Sequence, residues 1–203
     1  MKAWIGGVLA LFCANLANAD TLADVQSRFA AQTVVRAHFE QTRQISGLPQ
    51  PLRSAGEMIF TRDDGLLWRQ TKPFPMRLLL DDSHMVQDID GQPPQIVTAK
   101  DNPQLFQFNR LLRTLFLAER AVLEQNFDLS FEDRGEKGWR LRLVPVTSPL
   151  DKLFSGIDLD GRIYLERVVL RDRQGDLTEI VFSDHRLIPA ALSDDERRLF
   201  VSP

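Results

Sequence analysis

The spacing of apolar positions divides the chain into helical and extended stretches. In 21–33 the apolar residues Leu22, Val25, Phe29 and Ala30 fall on one helical face, with Asp20 or Thr21 available as N-cap. From 34 to 42 the period becomes two: Val35, Ala37, Phe39 and Gln41 alternate with Val34, Arg36, His38, Glu40 and Thr42. Extended patterns recur at 52–62, 66–71, 76–80, 85–89, 95–98, 127–132, 139–144, 157–159, 162–171 and 177–182. Short polar links such as Asp63-Asp64-Gly65, Asp90-Gly91, Asp160-Gly161 and Gln174-Gly175-Asp176 suit hairpins between antiparallel neighbours. The expectation is an α+β fold built on one large, strongly curved antiparallel sheet.

One stretch breaks the strand pattern. Residues 101–125 begin with Asp101, Asn102 and Pro103, a helix-start signature, and continue at helical spacing. Leu105, Phe108, Leu112, Leu115 and Phe116 form an apolar stripe, which Phe106, Leu111 and Leu117 widen. Such a helix either plugs one face of the sheet as core or lies over an apolar cavity as a lid. Periodicity leaves both open.

The N-terminus changes the picture of where the chain works. Lys2, an apolar run over 3–14 and the small residues Ala17-Asn18-Ala19 have the form of a secretory signal peptide. Its apolar run is too short to span a bilayer. Cleavage after Ala19 is expected, leaving a single exported domain over 20–203. Cys13 is the one cysteine of the chain, and it follows Phe12, where a lipoprotein processing site needs a small residue. The mature protein would then have no disulfide, no zinc–thiolate site and no cysteine nucleophile.

Composition is that of a globular protein, 43% hydrophobic and 26% charged, and the net charge of −3 gives nucleic-acid binding no support. Catalytic chemistry has little footing. His38, His84 and His185 fall on separate elements, with no neighbouring serine or acid at catalytic spacing. The acidic run around His84 (residues 81–90) reads as a solvated strand edge. Asp88-Ile89-Asp90-Gly91 and Asp158-Leu159-Asp160-Gly161 lack the remaining ligands of a calcium loop and read as hairpin turns. No enzyme, metal or cofactor is expected.

The hairpin over 56–73 carries Gly56-Glu57, Arg62, Trp68, Thr71 and Pro73, preceded on the first strand by Phe39-Glu40-Gln41-Thr42. This set resembles the LolA family of periplasmic outer-membrane lipoprotein carriers. The order of signal, helix, strands, helical insertion and returning strands agrees across the mature chain. The resemblance implies an incomplete β-barrel around an apolar cavity for acyl chains, with helices as its lid. It also implies that Arg62 latches the lid by hydrogen bonds to the helices. A guanidinium is suited to that task, since its donors can satisfy helix-end carbonyls that lack partners. The alternative for Arg62 is a solvated residue paired with Asp63 or Asp64.

Alternation then selects Val35, Phe39, Phe60, Trp68, Leu79, Leu141, Leu143 and Val169 as cavity wall. Asp63, where the family has proline, and Met85, Val86 and Gln87, where it has aromatics, point to a divergent branch. The expected cargo is therefore the acyl chains of a lipoprotein or of a glycolipid. A monomeric carrier would receive it from an inner-membrane donor and deliver it to an outer-membrane acceptor. A periplasmic interaction or chaperone module with a filled core is the alternative, and a hydrolase a more distant one.

Overall fold

The structure, a computed structural model, describes residues 21–101, 106 and 120–200. The expected signal segment and the stripe residues Leu105, Phe108, Leu112, Leu115 and Phe116 lie outside the described residues.

Eleven strands form one antiparallel sheet: β1 (Val34–Gln44), β2 (Leu52–Thr61), β3 (Gly65–Lys72), β4 (Met76–Leu80), β5 (His84–Ile89), β6 (Gln95–Thr98), β7 (Phe127–Asp133), β8 (Trp139–Pro145), β9 (Phe154–Gly161), β10 (Leu165–Asp172) and β11 (Leu177–Arg186). The spatial order is β6-β5-β4-β3-β2-β1-β11-β10-β9-β8-β7. Every connection but one joins neighbours, and the exception is the long return from β6 to β7. The pairing of β1 with β11 joins the two halves.

The expectation of a strongly curved, incomplete barrel is corrected here. The sheet is open, and its edge strands β6 and β7 stand at opposite ends of the strand order without pairing. Local signals set strand lengths and turns, whereas closure depends on twist and stagger summed over all eleven strands.

Among the described residues the sheet is accompanied by the helices α1 (Leu22–Ala30), α2 (Arg120–Asn126), α3 (Leu150–Leu153) and α4 (Asp194–Leu199). Helix α1 begins where the sequence pattern put it, and Thr21 is the cap. The Asp24 amide donates to Thr21 Oγ1, and the Thr21 amide donates back to the Asp24 carboxylate, 2.9 Å away. Helix α4 uses the same device through Ser193 and Glu196.

Register assigns each strand residue to one of two faces. Across β1, β2 and β3 the pairs Val35–Phe60–Leu66 and Ala37–Met58–Trp68 share a face, and Arg36–Ile59–Leu67 share the other. The first face holds both Trp68 and Trp139 and is termed the tryptophan face. The second holds Arg36, Arg69, Arg77, Arg140, Arg142, Arg167 and Arg171 and is termed the arginine face. One continuous core lies on the tryptophan face, from Val35, Phe39, Met58 and Phe60 through Phe182 and Val168 to Leu159, Ile157, Leu141, Leu143 and Trp139. Val25 of α1 and Leu123 of α2 complete it.

One turn differs from its expected place. Asp160-Gly161 ends β9 rather than forming a hairpin, and the turn follows over 162–164. The physical reason is charge pairing: Asp160 accepts from Arg140 Nε at 2.6 Å and Arg167 Nη1 at 2.9 Å, which holds it in the sheet.

Candidate functional site

The tryptophan face is the candidate site, and the hairpin 56–73 builds its centre. Trp68 stacks on Phe39 with centroids 3.6 Å apart and meets the Phe182 ring edge-on at 6.3 Å. Gly56, opposite Phe39, permits the close approach of β2 to β3: a Cβ there would sit 2.0 Å from the Arg69 carbonyl oxygen. Its neighbour Glu57 points to the arginine face and pairs with Arg69. Gly65, at φ 95°, makes the turn back into β3.

Of the residues chosen as cavity wall, Val35, Phe39, Phe60, Trp68, Leu141 and Leu143 come together on this face. Leu79 and Val169 do not. Leu79 pairs with Leu67 and Val86, and Val169 with Asp158 and Glu179, which places both on the arginine face. Each sits in an unbroken apolar run, Leu78-Leu79-Leu80 and Val168-Val169-Leu170, where alternation gives no face. Leu78 and Val168 take the tryptophan-face positions instead.

Among the described residues the face is filled rather than hollow. Phe29 of α1 meets Trp139 edge-on at 5.7 Å, and Trp139 Nε1 donates to the Arg162 carbonyl at 2.8 Å. Among the described residues, small gaps lie beneath α1. One of about 20 Å³ is bounded by Phe29, Val35, Met58, Phe60, Leu165 and Phe182. Another, about 10 Å³, is bounded by Leu22, Val25, Leu123, Trp139 and Leu141. Each has room for roughly one water molecule, not an acyl chain. The expected open cavity is thus not found among the described residues, because α1 and α2 occupy its place.

Arg62 stands at the edge of this cover, in the turn after β2. Its guanidinium donates to the carbonyl of Ala30, the last residue of α1. Its backbone amide donates to the Thr33 carbonyl at 3.1 Å, closing the corner between α1 and the sheet. The helix-end carbonyl lacks a partner within its own helix, and the dipole there favours a cation.

The arginine face works differently. Asp160 is contacted by Arg140, Arg167 and, at 3.7 Å, Arg134, while Arg167 also reaches Glu179 at 2.6 Å. Burial raises the Asp160 pKa, but hydrogen bonds from Arg140 and Arg167 outweigh it and hold the carboxyl below its ordinary range. Further along, Arg36 is buried and donates to both Glu196 oxygens and to the carbonyls of Pro189 and Ala191. The Arg36 hydrogen bond brings the Glu196 pKa from 4.5 down to about 2. A cleft of about 200 Å³ lies between α4 and the sheet, with Ile59, Leu67 and Leu199 among its walls. Sequence reading missed α4 and this clamp, although Ser193-Asp194-Asp195-Glu196 carries the capping-box signature.

The histidines stay apart, as their elements require. His84 is half-exposed beside Asp81, which caps the turn through the Ser83 and His84 amides. His185 bonds the Leu165 carbonyl and stacks on Tyr164.

An open antiparallel sheet with one apolar face under short helices, fastened at a helix end by an arginine, defines a cover-and-platform protein. The chain belongs to the family described as outer membrane lipoprotein carrier protein LolA-like, whose model matches residues 14–196. That family is one of carriers, not enzymes. Solved structures that match the chain include a LolA superfamily protein of Nitrosomonas europaea, at 10% identity and TM-score 0.47, covering 91% of this chain and 99% of that one. A chain of the MucA/MucB complex of Pseudomonas aeruginosa matches at 18% identity and TM-score 0.39, covering 88% and 60%. LprF of Mycobacterium bovis matches at 13% and 0.36, covering 86% and 95%. Likeness at this level says nothing about cargo. No curated protein sequence matches the chain significantly.

Proposed function

We propose that this protein carries the acyl chains of a lipoprotein or another lipid across the periplasm, on the tryptophan face, in place of its helical cover. It takes cargo from an inner-membrane donor and yields it to an outer-membrane acceptor, working as a monomer. The observation that carries this reading is the attachment of Arg62 to the Ala30 carbonyl. It fastens the cover at the end of a nine-residue helix whose apolar side shields the face. Acyl chains and α1 would compete for the same apolar surface, so loading means lifting the helix and release means letting it return. The wall is formed by Val35, Phe39, Phe60, Trp68, Leu141 and Leu143, with Arg62 as latch.

The small size of the gaps favours a second reading, an interaction or chaperone module whose core stays filled. Extraction and mass spectrometry of the purified protein separate the two. Co-purifying lipid, or lipid retained after incubation with vesicles, supports the carrier. Lipid absent from both preparations supports the filled module.

A further inference from the structure

The strand directions put the turns at two ends of the sheet, and these ends differ. At the Arg62 end lie the segments 62–64, 81–83, 99–101, 134–138 and 162–164. At the far end lie 45–51, 73–75, 90–94, 146–153 and 173–176. Among the exposed large apolar side chains of the described residues, Leu48, Leu52, Phe74, Val146 and Leu153 belong to the far end, and Ile163 and Ile188 to the Arg62 end. Leu48, Leu52 and Phe74 are each between 51 and 56% exposed, on the adjoining tips of the β1–β2 and β3–β4 hairpins. Leu52 opens β2 opposite Arg43, and it and Phe74 lie beyond Ala55–Lys72, the last pair between β2 and β3.

Charge divides the same way. Around the far-end tips, the segments 43–53, 71–75, 90–94 and 173–176 contain Arg43, Arg53, Lys72 and Arg173 against Asp90 and Asp176. Asp176 is already engaged, by Arg43 at 3.1 Å and the Ser46 amide at 3.0 Å. The Arg62-end segments 62–64, 81–83 and 99–101 contain Asp63, Asp64, Asp81, Asp82 and Asp101 against Arg62 and Lys100, and 134–138 and 162–164 add Arg134, Lys137 and Arg162 against Glu136.

We infer that the far end is a docking surface for an anionic phospholipid bilayer. Leu48, Leu52 and Phe74 enter the headgroup boundary, and Arg53, Lys72 and Arg173 face the lipid phosphates. Apolar tips ringed by cations suit such a surface, since apolar insertion and attraction to anionic lipid add. The Arg62 end has no such excess of cations, so the far end faces the membrane and the strands stand upright on it. Successive hairpin tips lie roughly 10 Å apart, from a strand spacing of about 4.8 Å, so several touch the surface together. This inference stands on the rim alone and holds whether or not the tryptophan face takes cargo.

The test is cosedimentation of the exported protein, its N-terminus verified as Asp20, with vesicles of phosphatidylcholine alone or with one quarter phosphatidylglycerol. Wild type is expected to bind the anionic vesicles and to lose binding as salt rises through about 0.15 M, where screening shortens to about 8 Å. Leu48→Ser/Leu52→Ser/Phe74→Ser should weaken partitioning at least about tenfold, because each apolar tip contributes a several-fold factor. Arg53→Gln/Lys72→Gln should weaken it several-fold on anionic vesicles only. Ile163→Ser/Ile188→Ser, at the Arg62 end, should stay within about twofold of wild type. All these side chains are exposed, and unchanged thermal unfolding will confirm that the variants fold. Absence of wild-type binding, an unaffected triple variant, or an equal loss from the Ile163/Ile188 control would each overturn the inference.

Discussion

The two faces of the sheet are made by the same strands and separated by one residue of register, yet they are held by different physics. The tryptophan face is a continuous apolar surface that needs a cover, and α1 and α2 supply it. The arginine face is tiled by ion pairs, Arg140–Asp160–Arg167–Glu179 in one group and Asp158–Arg171 in another, and it needs none there. Its helix α4 is instead pinned by polar bonds, the Arg36–Glu196 ion pair and a hydrogen bond from Arg77 to the Leu199 carbonyl. A cover held mainly by apolar contact can be exchanged for another apolar group, and one held by a bidentate ion pair cannot. That contrast is why cargo is placed on the tryptophan face.

The sharpest way to break the comparison is to damage each face separately. Trp139→Ala removes a fully buried ring that packs on α1 and donates to the Arg162 carbonyl, and should cost about 3–5 kcal/mol in denaturant unfolding. A loss under about 1 kcal/mol would mean the apolar face is not the principal core. Arg36→Met strips Glu196 and two carbonyls of their partner. It should cost roughly 2–3 kcal/mol, below the full penalty for a broken buried pair because Glu196 keeps some access to water. Protection from amide hydrogen exchange should vanish in α4 while β1–β3 keep theirs.

The same clamp predicts a pH response confined to the arginine face. The folded pKa of Glu196 lies below its ordinary 4.5, so its contribution is complete above about pH 4.5 and is lost as pH falls toward 2. Hydrogen exchange in α4 should rise across that window, and Glu196→Gln should remove the step. An unchanged step in the variant would assign it to another carboxylate. Smallest in stability is Arg62→Leu, an exposed hydrogen bond of roughly 1 kcal/mol, whose effect should fall on the cover. Binding of a hydrophobic dye should rise several-fold with the sheet intact. Dye binding equal to wild type would leave Arg62 a surface residue.

How far the sequence carries can be read from these residues. Strands followed from period two and their turns from aspartate–glycine pairs, and α1 began at the Thr21 cap. Face assignment failed where apolar residues run together: nothing local distinguishes Leu78 from Leu79, or Val168 from Val169, until the neighbouring strand fixes register. Asp160 looked like a turn residue because its partners, Arg140 and Arg167, come from strands on either side. Closure was illegible for the same reason, since no segment reports whether β6 meets β7. The hairpin 56–73 was the most informative stretch, and its glycine, glutamate, arginine and tryptophan each have a separate physical task.

The central claim is that acyl chains replace the helical cover on the tryptophan face. Of the three tryptophans, the protein beginning at Asp20 keeps Trp68 and Trp139, both on that face. Quenching of their fluorescence by a brominated lysophospholipid, kept below its micelle concentration and compared with the bromine-free lipid, therefore reads occupancy directly. The account predicts saturable quenching that persists in both Trp68→Phe and Trp139→Phe and saturates at lower lipid concentration in Arg62→Leu. Emission identical with brominated and bromine-free lipid, in wild type and in Arg62→Leu alike, would contradict it.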